Sequence, residues 1–114
     1  KYEFEWAKKH NTINKFDLNG LDDLICELKE ANLPVYFTVD LDVLDPSVFP
    51  GTGTPEPGGI SYKKLQDAVI KVCGGLNIIA ADVVELCPHY DQSGASTAIA
   101  CKILRELLLA LSGR

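Results

Sequence analysis

The stretch Val35-Tyr36-Phe37-Thr38-Val39-Asp40-Leu41-Asp42 decides how this chain folds. Pro34 turns the chain, and five β-branched or aromatic residues follow, which predicts a short buried strand over 35–39. A second apolar run, Ile78-Ile79-Ala80-Ala81-Asp82-Val83-Val84, predicts another strand between Asn77 and Leu86. Helical patterns separate them. Leu21, Leu24, Ile25 and Leu28 recur at helix spacing up to Ala31-Asn32, with Asn19 as the expected N-cap. Ser61 is the expected cap of a helix whose face is Tyr62, Leu65, Val69, Val72 and Cys73, stopped by Gly74-Gly75. Ser93 is expected to open the last helix, which runs to about Leu111. Residues 1–9 read as the end of a helix, and residues 11–17, with Thr12, Ile13 and Phe16, as a short strand.

The predicted order is α–β–α–β–loop–α–β–loop–α. Strands that are apolar on both faces and alternate with helices imply an α/β parallel sheet covered on both sides. Three strands make a thin sheet with edges that need covering. The apolar run Leu107-Leu108-Leu109-Ala110-Leu111 has no evident partner in the pattern. Neither a repeat nor a linker interrupts the 114 residues, so they read as part of one domain.

Composition excludes several classes. A net charge of −5, from 11 basic and 16 acidic residues, argues against a nucleic-acid partner, which would need a basic face. It is compatible with a small cationic substrate. No apolar run approaches the roughly 18–20 residues of a membrane span, so no membrane partner is expected, and a cytoplasmic location is. Cys26, Cys73, Cys87 and Cys101 show no C-x-x-C pairing; Cys26, Cys73 and Cys101 fall in apolar periodic segments and read as reduced core thiols. The chain contains no Met, which suggests a mature form or a piece of something longer.

The candidate chemistry gathers where strands end. Asp40 and Asp42 follow the first strand two residues apart, about 6.5 Å along an extended chain and on one side of it. Two carboxylates there repel unless a cation lies between them, so the pair suits a hard ion such as Mg²⁺ or Mn²⁺. Ligands of open α/β sheets bind at this rim. Asp45 before Pro46 reads as a structural Asx turn. Residues 45–59 hold four of the six prolines, and Pro50-Gly51-Thr52-Gly53-Thr54-Pro55-Glu56-Pro57-Gly58-Gly59 is no phosphate loop, because Pro55 and Pro57 lack N–H donors. It reads as the stiff wall of a site. Asp82 interrupts an apolar run and should be hydrogen-bonded. Glu85 emerges at the same rim, where a carboxylate can accept two parallel hydrogen bonds from a guanidinium. His89-Tyr90-Asp91 has no second histidine nearby and is a weak metal pair. No Ser/His/Asp or Cys/His nucleophile system is recognisable.

Three motifs in order, residues 38–46, residues 50–59 and Asp82-Val83-Val84-Glu85, resemble the C-terminal part of the ureohydrolase (arginase/agmatinase) family. The Gly-Thr-Gly-Thr-Pro-Glu-Pro-Gly-Gly wording, with Pro88 and Tyr90-Asp91 beyond the glutamate, is more similar to agmatinases than to arginases. The resemblance covers nearly the whole chain. It implies residues 1–114 as the C-terminal portion of a single three-layer α/β/α domain in a longer enzyme. It implies a hydrolase with two Mn²⁺ per site acting on a guanidino compound, with agmatine leading to putrescine and urea. By position Asp40 matches the carboxylate bridging both metals and Asp42 a ligand of one of them. Glu85 matches the holder of the guanidinium and Thr54 a wall residue near it. The family's Gly-Gly-x-His and Asp-x-His-x-Asp motifs and its catalytic histidine are absent from these residues and expected upstream, so no catalytic acid–base residue is assigned here. Cys87 stands where the Asp leading a His-x-Asp would be, and Leu86, Cys87 and His89 differ from the usual pattern. The isolated chain is expected to be inactive, and the intact enzyme a homo-oligomer.

Two alternatives stand beside this reading. A haloacid-dehalogenase-like phosphatase would use the same strand and D-x-D with Asp40 as nucleophile and one Mg²⁺. The loop would then have no role, and Asp82 lacks its paired acid. The other alternative is a structural piece without activity.

Overall fold

The computed structural model describes residues 1–10 and 18–113; the strand expected over 11–17 lies outside the described residues. The element order is α1 (Tyr2–His10), α2 (Leu21–Ala31), β1 (Val35–Asp40), a 3-10 turn (Leu41–Val43), α3 (Tyr62–Gly75), β2 (Ile78–Val84), a second 3-10 turn (Pro88–Tyr90) and α4 (Ala95–Leu111). β1 and β2 pair in parallel, with Thr38 opposite Asp82 and Asp40 opposite Val84. The register slips by one residue at Val35/Tyr36. The α/β class and the parallel pairing agree with the arginase-like expectation.

The register sorts side chains onto two faces. Phe37 and Val39 share one face with Ala81 and Val83 and join the core. That core is completed by Leu65, Val69 and Cys73 of α3, Ala100, Ile103 and Leu107 of α4, and Leu41, Leu44, Phe49 and Ile60 of the rim. Tyr36, Thr38, Asp40, Ala80, Asp82 and Val84 share the other face, and Tyr36 is 60% exposed. Among the described residues helices cover the Phe37 and Val39 face, and the Tyr36 and Thr38 face has no cover. The 44 × 42 × 20 Å extents say the same, because one helix layer with its side chains takes about 10–12 Å. The radius of gyration, 14.9 Å, exceeds the roughly 13 Å of a compact chain of this length. An apolar groove of about 240 Å³ runs beside β1, lined by Leu18, Leu21, Phe37, Val39, Leu65 and Val72.

Two caps and two cysteines differ from expectation. α2 starts after Gly20, not Asn19, because Gly20 takes a left-handed conformation (φ 83°) that glycine adopts without strain. α4 starts after Gly94; Ser93 belongs to the turn before it. α3 ends at the expected Gly74-Gly75, with Leu76 as its C-cap, and Ser61 accepts the Lys64 N–H at 3.3 Å as its N-cap. Cys73 is buried, but Cys26 and Cys101 are exposed and are not core thiols. Both sit on helices, where periodic spacing alone does not say how wide the buried stripe is. The end of α4 splits similarly: Leu107 is buried, whereas Leu108, Leu109 and Leu111 remain exposed.

Candidate active site at the strand rim

β1 delivers Asp40 to the rim, and its carboxylate immediately folds the chain back. Asp40 Oδ1 accepts the Asp42 N–H at 3.1 Å, capping the 3-10 turn that carries Asp42. Asp42 is fixed from a second direction. Thr54 donates its hydroxyl to Asp42 Oδ2 at 2.7 Å, across 12 residues of chain. Thr54 thus touches a candidate metal ligand directly.

The loop between Asp45 and Ile60 is closed at its base. Asp45 accepts from Ser47 N–H and from Gly58 N–H, both at 2.9 Å, so its structural reading holds. These bonds, led by the Ser47 hydroxyl, keep its carboxyl below the usual value. Ile60 N–H reaches the Val43 carbonyl at 2.9 Å, and Asp45 N–H reaches the Ile60 carbonyl at 3.1 Å. Gly59 is required by that approach: a Cβ there would stand 2.4 Å from the Asp45 nitrogen.

Glu85 leaves β2 in the left-handed region, at φ 67°, a conformation that costs a non-glycine residue about 1–3 kcal/mol. Its carboxylate lies beside the loop, since a Cβ on Gly53 would come 3.7 Å from Glu85 Oε2. Asp40 feels both acids. Burial first, then the neighbouring Asp42 and Glu85 charges, push its carboxyl above the ordinary value, against the Asp42 N–H that lowers it. Ion pairs between described residues lie at Lys8–Glu5, Lys63–Asp67, Lys71–Asp22 and Arg105–Glu106, away from this rim. Three carboxylates thus crowd one rim beside a stiff wall, and the arrangement invites cationic ligands.

Asp82 is hydrogen-bonded as expected, accepting from Thr38 Oγ1 at 2.6 Å and from the Tyr36 hydroxyl. Those bonds lower its carboxyl and raise the Tyr36 phenol. Tyr36 escapes sequence reading because its partner is 46 residues away. His89 is exposed in the second 3-10 turn. Among the described residues no three of His, Cys, Asp and Glu form a group able to hold a metal ion. Asp40 and Asp42 are therefore hard oxygen donors of the right kind, but only part of a donor set.

The sequence model of the arginase family matches residues 1–110. The chain belongs to the arginase family. Within this family it is 46% identical over 112 residues to an agmatinase of Bacillus cereus, covering 96% of the chain and 38% of that relative. It is 34% identical to a guanidinobutyrase of Pseudomonas aeruginosa, covering 97% of the chain and 36% of that relative. A solved Clostridium difficile protein described as an agmatinase superposes with a TM-score of 0.82 at 46% identity, covering 98% of the chain and 41% of that structure. The arginase-family chain thus spans less than half the length of these relatives. The haloacid-dehalogenase alternative is not favoured by these matches. No helix among the described residues is long and apolar enough to cross a membrane.

Proposed function

We propose that this chain supplies part of the active-site rim of a ureohydrolase that cleaves a guanidino compound, with agmatine as the leading substrate. The observation that carries the reading is the convergence of Asp40, Thr54-bound Asp42 and Glu85 on one rim. Asp40 and Asp42 would hold divalent manganese together with further donors outside the described residues. A bound pair of such cations supplies acidified water at neutral pH. Thr54 keeps one Asp42 oxygen occupied and so sets which oxygen faces the cation. Glu85 would accept two N–H bonds from the guanidinium and orient its carbon toward the rim. Water adds to that carbon, one C–N bond breaks, and the nitrogen leaving with the alkyl chain takes up a proton. From agmatine the products are urea and putrescine. Relatives named as agmatinase and as guanidinobutyrase both match, which supports the guanidino head and leaves the tail less defined. A homo-oligomeric enzyme acting in the cytoplasm fits this reading, as does inactivity of the 114 residues alone.

The test is urea release by the full polypeptide with Mn²⁺, offered agmatine, guanidinobutyrate and arginine in turn. Agmatine is expected to be preferred, and Asp40→Asn to abolish turnover. Urea release from none of the three would overturn the proposal. A phosphoaspartyl mimic forming at Asp40 with beryllofluoride and Mg²⁺ would favour the phosphatase alternative instead.

A further inference from the structure

The loop that carries Thr54 is tied down at a point remote from the carboxylates. Asp91, almost fully buried, accepts the Ser93 N–H at 3.0 Å, the Ser93 hydroxyl at 2.6 Å and the Ser96 N–H at 2.7 Å. Ser96, in the first turn of α4, is fully buried, and its Oγ accepts the Gly51 N–H at 2.8 Å. The Gly51 carbonyl accepts the Cys87 N–H at 2.7 Å, just beyond Glu85. Gly51 is therefore gripped at both its N–H and its carbonyl, by the start of α4 and by the segment leaving β2. Contact is close enough that a Cβ on Gly51 would meet Ser96 Cβ at 2.7 Å and Asp91 Cβ at 3.1 Å. A simple helix cap does not require this, because capping satisfies the helix's own N–H groups and leaves loops 45 residues away alone.

We propose that Asp91 and Ser96 are positioning residues of the rim, acting through the Gly51 peptide on Thr54 and thereby on Asp42. The proposal rests on the function read above for its chemistry, but its geometry stands apart from it. Asp91 orients Ser96, Ser96 holds Gly51, and three residues later Thr54 meets Asp42 Oδ2. Asp91 and Ser96, the acceptors at the buried end of this relay, sit away from solvent, where losing one leaves a donor unpaired. The Gly51–Cys87 bond ties the same residue to the segment two residues beyond Glu85.

The test uses the full polypeptide with Ser96→Ala, Ser96→Thr, Thr54→Val and the Ser96→Ala/Thr54→Val double variant. Mn²⁺ affinity is read by the paramagnetic resonance of the free ion, and the Asp42 and Thr54 amide signals by NMR without metal. Ser96→Ala is expected to shift both amide signals and to weaken Mn²⁺ binding by about tenfold. Ser96→Thr, which keeps the hydroxyl but adds a methyl at a packed site, should recover part of both, closer to wild type than Ser96→Ala. The double variant should bind Mn²⁺ no worse than Thr54→Val alone, because both changes break one line of contact. Additive losses, or a lowered melting temperature with unmoved amide signals and unchanged affinity, would reduce Asp91 and Ser96 to a helix cap. Should Ser96→Ala not fold, Asp91→Asn is read by the same two signals with the same expectations. A wild-type protein that bound no Mn²⁺ would sink the proposed function, while the metal-free amide signals would still decide the relay.

Discussion

The two faces of the β1–β2 ladder are built from alternate residues of the same strands and do opposite work. On one, Phe37, Val39, Ala81 and Val83 press against α3 and α4. On the other, Tyr36 and Thr38 both donate hydrogen bonds to Asp82, and Asp40 opens the candidate site. The first face supplies packed core, and the second carries the candidate site. A strand's period of two allows this separation, since a substitution on one face leaves the packing of the other nearly untouched.

The sharpest way to break that contrast is Ile103→Ala on α4, against the covered face. Ile103 is 0% exposed, so truncation should cost about 2–5 kcal/mol, seen as a large drop in the urea midpoint. A loss much below that range would mean the covered face is not the source of stability. Asp91→Asn, at the start of α4, comes next. Hydrogen bonds from Ser93 and Ser96 hold the Asp91 carboxyl far below the usual carboxylate value. Its folded value is depressed, so its ionised form stabilises the fold above the ordinary carboxylate range, and that contribution fades as pH falls through and below that range. The melting difference between wild type and Asp91→Asn should therefore be widest near neutral pH and shrink in acid. A difference that grew in acid would contradict the geometry. Tyr36→Phe, on the open face, should have the smallest effect, a slight fall in melting temperature with Mn²⁺ affinity unchanged. A fall as large as that of Ile103→Ala would show that the open face carries stability too.

Much of this arrangement is legible residue by residue. Val35–Asp40 and Ile78–Val84 declare themselves as strands because β-branched and aromatic runs suit a pleated backbone. The α3 stripe at Leu65, Val69, Val72 and Cys73 declares itself by helical spacing. Asp40 with Asp42 is recognisable because two residues of separation already place both on one side of a strand end. Thr54 is legible only as a wall residue; its bond to Asp42 is not, and neither is the Ser96 bond to Gly51. Gly20 and Gly94 displace the expected caps because left-handed backbone at those points outweighs what a neighbouring Asn or Ser side chain could accept.

By itself the sequence determined what short-range physics governs: which segments are helix or strand, that Pro55 and Pro57 stiffen the loop, and that acids end both strands. Only the tertiary structure decided which strand face is covered, that Glu85 turns back toward Gly53, and that Asp91 reaches the rim through Ser96 and Gly51. The reason is physical. Propensity and periodicity act within a few residues, whereas the pairing of a donor with an acceptor 45 residues away depends on how helices and strands pack, and no local pattern encodes that distance.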